Sequence, residues 1–280
     1  MASRQWKKEG TRISVKGIEI GGDDLFVIAG PCAVESEEQL DHIAAFVSEH
    51  GVPFLRGGAY KPRTSPYSFQ GLQKEGLRLL QQASLKYGLG IITEVMDLSL
   101  LDEVYPYTDI IQVGSRNMKN YHFLKELGKV DKPVLLKRGM DATIEEWLLA
   151  AEYLLVGGNE KVILCERGIR TFDDSTRNTM DIASISLAKE LSHLPVIADP
   201  SQGTGSSSLI KPLSMAAIVA NADGLMIEVH HNPDEALSDG PQSVNFGQFK
   251  DMIPGINASA RVMGKKSPLV FSKKEKVLNF

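Results

Sequence analysis

Three cations and two hydroxyls fall within RGGAYKPRTSP, residues 56–66: Arg56, Lys61, Arg63, Thr64 and Ser65. Together they make a receptor for phosphate or carboxylate oxygens, with Arg63 offering a planar fork that suits a phosphate. Gly57 and Gly58 let the backbone come close to a ligand, and Pro62 and Pro66 stiffen the loop. A solvated basic loop is the competing reading, but it gives no role to the prolines or to the apolar lead-in VPFL. Similar residues recur along the chain: Glu94 with Asp97, Ser115 with Arg116, Lys137 with Arg138, Glu166 with Arg167, Asp199 with Ser201 and Gln202, and Glu228 with His230. Convergence of these cations would call for ligands carrying two or more anionic groups, such as a sugar phosphate and a carboxylate-bearing phosphoester. A second subset, Cys32, Glu228 and Asp239, supplies the thiolate and carboxylates that hold Mn²⁺, Fe²⁺ or Zn²⁺. Plain packing of a small buried cysteine is the alternative there.

These residues need elements that bring them together. From Leu25 onward a short apolar run, a polar residue at its end and an amphipathic helix alternate eight times, the runs being 25–32, 52–55, 90–96, 109–116, 133–139, 161–168, 195–201 and 224–230. Thr143 with Glu146 forms a capping-box signature, and Ser36 and Gly51 mark the start and stop of the first helix. Strands this apolar, each separated by one helix, indicate a parallel sheet covered on both faces. Eight in succession predict an α/β fold of the closed (β/α)₈ TIM-barrel type. A doubly wound open sheet is the alternative, although no GxGxxG follows the first strand. In such a barrel chemistry sits at the carboxyl ends of the strands, where the polar residues fall. A rim of structural ion pairs is the competing explanation for so many charges there. Residues 1–24 are expected to form a hairpin-like extension turning at Lys16-Gly17, residues 25–253 the barrel, and residues 254–280 a basic tail. Cys165 reads as core, and His42, His50, His122 and His193 as surface.

Composition narrows the function classes. With 42% hydrophobic and 24% charged residues and a net charge of −4, the chain resembles an ordinary globular protein without the basic excess of a nucleic-acid binder. Two cysteines, Cys32 and Cys165, make no disulfide framework, the polar start has no signal-peptide core, and no apolar run could span a bilayer. A cytoplasmic location is expected.

GPCAVES, RGGAYKPRTSP, TEVMD, QVGSRNM, LLKRGM, ILCERGIRT, ADPSQGTG and IEVH followed by ALSDGPQS occur in that order. They closely resemble 3-deoxy-D-arabino-heptulosonate 7-phosphate (DAHP) synthase of the short type, related to 3-deoxy-D-manno-octulosonate 8-phosphate (KDO8P) synthase, over roughly residues 12 to 253. The resemblance implies a (β/α)₈ enzyme of the shikimate pathway that joins phosphoenolpyruvate to erythrose 4-phosphate with a divalent metal, as a homo-oligomer, dimer or tetramer. It implies that Arg56, Lys61, Ser115, Arg116, Lys137 and Arg167 bind phosphoenolpyruvate. Arg63, Thr64, Ser65 and Asp239 would hold erythrose 4-phosphate, and Lys61, Glu94 and Lys137 would be catalytic, with Glu94 and Lys137 resembling the pair that positions a water. The metal ligands would be Cys32, Glu228, Asp239 and the residue after Ser201. That residue is His in the family and Gln202 here, so a weakly held metal is expected. KDO8P synthase, with arabinose 5-phosphate as acceptor, is the alternative; it resembles KANRTS where this chain has KPRTS. A catalytically silent phospholigand-binding relative is the third reading, and Gln202 is the feature that supports it. No feedback-sensing or chorismate mutase domain is expected within residues 1–24.

Overall fold

The computed structural model describes residues 1–271. Strands β1 (Ile13–Val15) and β2 (Ile18–Ile20) pair antiparallel, with Ile13 opposite Ile20 and Val15 opposite Ile18. Lys16 and Gly17 both take positive φ at the turn, which suits a tight two-residue hairpin. This is the expected extension.

Eight parallel strands close into a barrel: β3 (Phe26–Gly30), β4 (Phe54–Arg56), β5 (Gly90–Glu94), β6 (Ile110–Val113), β7 (Val134–Lys137), β8 (Val162–Glu166), β9 (Val196–Ala198) and β10 (Gly224–Glu228), with β10 hydrogen-bonded to β3. Side chains alternate across each strand, and the alternation sorts two apolar clusters. Val27, Leu55, Ile91, Leu136, Leu164 and Ile227 face outward under the helices. Phe26, Ile28, Phe54, Ile92, Ile110, Leu135, Ile163, Cys165, Ile197 and Met226 fill the interior, together with Ile13, Val15 and Ile20 of the hairpin. The hairpin therefore plugs the amino end of the barrel. Cys165 is core, as its place in the strand predicts.

The helices follow their caps. Helix α1 (Glu37–Glu49) starts where the Ser36 side chain accepts from the Gln39 N–H, and α2 (Lys74–Tyr87) ends at left-handed Gly88. The third connection is a broken α3 (Leu101–Val104) flanked by 3₁₀ turns, the second containing Pro106. Helices α4 (Tyr121–Leu127) and α5 (Ile144–Val156) follow, the latter with the Thr143/Glu146 capping box. After α6 (Ile182–Leu191) comes a short helix that sequence reading missed, α7 (Pro200–Thr204), then α8 (Ser207–Val219). The last helix, α9 (Phe246–Val262), begins with a capping box of Asn245 and Gln248 and runs through Pro254. The boundary expected at residue 253 thus falls inside a helix. Beyond it Leu269 is buried, and the Val270 N–H donates to the His50 carbonyl. The tail is packed as far as residue 270, while residues 272–280 lie outside the described part.

Two histidines differ from expectation. His42 and His122 are exposed, but His50 and His193 are buried. Among the described residues no helix is long and apolar enough to cross a membrane.

Candidate active site

Two residues beyond the apolar layer, seven of the eight strands carry a polar group at the inward-facing position or just past their end. Phe54 is followed by Arg56, Ile92 by Glu94, Ile110 by Gln112, Leu135 by Lys137, Cys165 by Arg167, Ile197 by Asp199 and Met226 by Glu228. Cys32 stands two past Gly30. Seven cations line the resulting cavity: Arg56, Lys61, Arg63, Arg116, Lys137, Arg167 and Arg177. Glu94, Gln112, Ser115, Gln202 and Asp239 complete much of its wall.

Charges this deeply buried must be paired. The Lys137 Nζ lies 2.5 Å from Asp199 Oδ2, and Arg56 Nη1 lies 3.0 Å from Glu228 Oε1. The second approach meets the distance of an ion pair but not the angle of a hydrogen bond, so Arg56 Nε and Nη1 are buried donors without a hydrogen-bond partner among the described residues. Burial weakens the hold of Arg56 on its proton, but Glu228, Cys32 and Asp199 more than offset it and its pKa is raised. Arg167 is buried beside neutral oxygens, donating to Gly168 O at 3.2 Å and Gln202 Oε1 at 3.3 Å. Burial lowers its pKa, against the pull of Asp199. A cavity with spare buried donors and seven cations is a receptor for anions.

Cys32, Glu228 and Asp239 form the second centre, with one ligand atom from each lying within 4.8 Å of the others. The Cys32 thiol donates to Asp239 Oδ2 at 3.1 Å, and Lys61 Nζ donates to the Cys32 sulfur at 3.0 Å. Burial, reinforced by Glu228, pushes the Cys32 thiol up to about 11. For Asp239, burial is outweighed by the hydrogen bond from Cys32 and by Arg177 and Lys61, which bring it down to about 2. A soft sulfur and two carboxylates fit a first-row divalent ion. Gln202, which α7 places at the fourth side, faces them with nitrogen: its Nε2 donates to Glu228 Oε1 at 2.8 Å and to Asp239 Oδ2 at 3.2 Å. Gln242 donates to Glu228 Oε2 at 2.7 Å.

Close approach at the mouth depends on two glycines. A Cβ on Gly114 would sit 2.1 Å from Glu94 Oε1, and one on Gly58 would sit 2.7 Å from Lys61 Cδ and 2.9 Å from the Cys32 carbonyl.

Several neighbours of these residues face elsewhere. Arg138 and Glu166 pair with each other at 2.8 Å on the outer side, where Asp181 and Ser184 join them. Asp97 caps the following turn through the Ser99 N–H. Arg63 donates to Ser238 Oγ at 2.8 Å and lines the cavity, whereas Thr64 is exposed and Ser65 Oγ accepts from the Tyr67 N–H. His230 packs against His231 and approaches Glu35. Arg177 and Gln242 were missed: Arg177 Nη1 donates to Gln242 Oε1 at 2.7 Å and to Asp239 Oδ1 at 3.3 Å. Both sit in irregular connections, where no periodicity marks a residue as inward. Gln112 could have been found by counting two from Ile110.

A closed parallel barrel with an anion receptor and a thiol–carboxylate cluster at its carboxyl mouth is the architecture of an enzyme that brings phosphorylated anions together. The chain belongs to the DAHP synthetase I family, whose model matches residues 8–260. It is 50% identical over 266 residues to the phospho-2-dehydro-3-deoxyheptonate aldolase of Thermotoga maritima, a match covering 95% of this chain and 79% of the relative. The 2-dehydro-3-deoxyphosphooctonate aldolase of Methylococcus capsulatus is 30% identical over 264 residues, covering 88% of this chain and 92% of the relative. The crystal structure of the Thermotoga DAHP synthase superposes with a TM-score of 0.93 at 49% identity, over 95% of this chain and 78% of that one. A truncated form of the Thermotoga 3-deoxy-D-arabino-heptulosonate 7-phosphate synthase gives 0.89 at 45% identity, over 95% and 98%.

Proposed function

We propose that this chain condenses phosphoenolpyruvate with erythrose 4-phosphate to give DAHP and inorganic phosphate. The observation that carries the reading is the cavity itself: seven cations, with Arg56 donors that have no hydrogen-bond partner among the described residues, beside the Cys32/Glu228/Asp239 cluster. Arg116, Lys137 and Arg167 take the phosphoenolpyruvate, with Arg56, Lys61 and Ser115 around its carboxylate end. Arg63 takes the aldose phosphate, with Thr64 and Ser65 on the same loop. The enol carbon C3 attacks the aldehyde carbon, water adds at C2, and phosphate leaves with cleavage of its bond to C2. Glu94 and Lys137 position that water, and Asp199 holds Lys137 in place at 2.5 Å. The cations offset the repulsion between two polyanions and hold them in attack geometry. Cys32, Glu228 and Asp239 would hold a divalent ion, which would supply Lewis-acid polarisation of the aldehyde oxygen.

Metal binding is weakened, in this reading, because Gln202 offers an amide where the family has an imidazole. Gln202→His should tighten Mn²⁺ binding by about ten- to a hundredfold, measured as metal content and Kd; no gain would remove residue 202 from the site. The same reading includes a cytoplasmic homo-oligomer, dimer or tetramer, to which exposed apolar side chains such as Leu149 and Val156 of α5 could offer contact area.

Both the greater similarity to the Thermotoga enzyme and the KPRTS loop favour erythrose 4-phosphate over arabinose 5-phosphate. The test is loss of phosphoenolpyruvate with added Mn²⁺ and each aldose phosphate in turn. Turnover with arabinose 5-phosphate alone overturns the acceptor assignment. Turnover with neither identifies a silent phospholigand binder.

A further inference from the structure

The Gln202 carboxamide is held at both ends. Its oxygen accepts from Arg167 Nη2 at 3.3 Å, while its nitrogen donates to Glu228 Oε1 at 2.8 Å and Asp239 Oδ2 at 3.2 Å. The opposite orientation would set N–H against the guanidinium and lone pairs against two carboxylates. Arg167 at one end and the two carboxylates at the other together set which end of the amide faces the Cys32/Glu228/Asp239 cluster. A metal ion there requires a lone pair from its fourth neighbour, and an amide nitrogen has none to give.

The bond from Arg167, which holds the oxygen away from the cluster, is the longest of the three and joins a charged donor to a neutral acceptor. Arg167 is 4% exposed, and its hydrogen bonds reach only neutral oxygens. A multiply charged anion on the guanidinium ion-pairs with it and can accept two parallel N–H bonds, where the displaced contact is one long bond to a neutral oxygen. The terminal amide torsion is broad, so a half-turn meets no staggered barrier. The two bonds lost from nitrogen are replaced by the ion's charge beside the same carboxylates.

We propose that Gln202 is a conditional metal ligand: an anion that takes over Arg167 releases the carboxamide oxygen to the Cys32/Glu228/Asp239 site, coupling donor-substrate binding to metal binding. The coupling rests on the reading of Arg167 as part of the phosphoenolpyruvate site. Linkage makes the factor equal in both directions.

Mn²⁺ is titrated into the full chelator-stripped chain, following free Mn²⁺ by electron paramagnetic resonance, with and without saturating phosphoenolpyruvate. Phosphoenolpyruvate binding to the metal-free chain is measured separately by calorimetry. In the unaltered chain phosphoenolpyruvate should tighten Mn²⁺ binding by about tenfold or more, and in Gln202→His, whose lone pair needs no release, by less than about threefold. Gln202→Met, which loses both ends of the linkage, should also fall below about threefold. Equal tightening in all three chains would reduce the effect to through-space attraction and overturn the proposal. So would unchanged Mn²⁺ affinity in a chain that binds phosphoenolpyruvate. Failure to bind phosphoenolpyruvate at all defeats the donor-site reading, and this coupling with it.

Discussion

The floor and the mouth of the barrel are made by the same strands, one step of the inward alternation apart. Phe54 and Arg56 share β4, Leu135 and Lys137 share β7, and Met226 and Glu228 share β10. Phe54, Leu135 and Met226 are fully buried in an apolar plug closed by Ile13 and Ile20 of the hairpin. Arg56, Lys137 and Glu228 are 5%, 5% and 0% exposed, yet here burial leaves Arg56 donors without a hydrogen-bond partner among the described residues. The floor is complete without a ligand; the mouth is not. Stability and activity are therefore separated by about two residues of strand, and substitution can test how cleanly.

The largest effect is expected at Lys137. Lys137→Ala removes a cation from both substrate binding and water positioning, and turnover should fall by roughly 10²–10³ or more. It also leaves Asp199 buried with its ion-pair partner gone, which should cost about 3–5 kcal/mol of stability. Steady-state kinetics and denaturant unfolding read the two separately. A variant as stable as the parent would mean that Lys137 is not what neutralises Asp199.

On the floor, Phe54→Ala should cost about 3–5 kcal/mol by opening a cavity against Phe26. Well below its unfolding temperature it should keep kcat and both KM values within about twofold, since Phe54 does not line the cavity. A tenfold loss of kcat in the folded variant would break the separation of floor from mouth.

How much of this was legible follows the same parity. Eight strands and their order could be read from apolar runs punctuated by caps, and the barrel closes as those runs predict. The direction of each side chain could not, because runs such as VLLK and VILCE are apolar at odd and even positions alike. Lys137 with Arg138, and Glu166 with Arg167, therefore looked like equal members of one rim. The register with Lys137 opposite Cys165 turns Lys137 and Arg167 inward and sends Arg138 and Glu166 out to meet each other. Arg177, Gln242 and the five-residue α7 belong to connections with no period to read. His50 and His193 sit at helix ends that look exposed in sequence and are covered by distant segments.

A smaller effect sharpens the division within the mouth. Arg63 lines the cavity and donates to Ser238, whereas Arg167 donates to Gln202, so the two cations hold different partners. Arg63→Ala should raise KM for erythrose 4-phosphate by about ten- to a hundredfold, the loss of a charge-assisted contact, and leave KM for phosphoenolpyruvate within about twofold. Equal damage to both would merge the two phosphate sites into one.

The smallest effect tests whether the floor contains a pH-sensitive contact. His193 Nε2 donates to the Met1 carbonyl at 2.7 Å, so Nδ1 is the lone pair that accepts from Thr11 Oγ1 at 2.7 Å. Burial lowers its pKa from the ordinary 6.5, with Lys7 and Arg4 adding to the effect against the Met1 carbonyl. Between the lowered folded value and the unfolded one, the unfolded chain holds the extra proton. Stability from this group is then fully present above about pH 6.5 and declines as pH falls below it. Protonation turns Nδ1 into a donor, and the Thr11 hydroxyl, which also accepts from Lys7 Nζ, must rotate to receive it. The loss should resemble one hydrogen bond, about 1 kcal/mol, or about 2–4 °C in Tm for a chain of this size. His193→Gln keeps a polar group but does not titrate, so the unfolding free energies of the two chains should converge between about pH 7.5 and about pH 5.5. A constant difference over that interval would show that His193 keeps its proton affinity on folding and that the floor has no such dependence at this position.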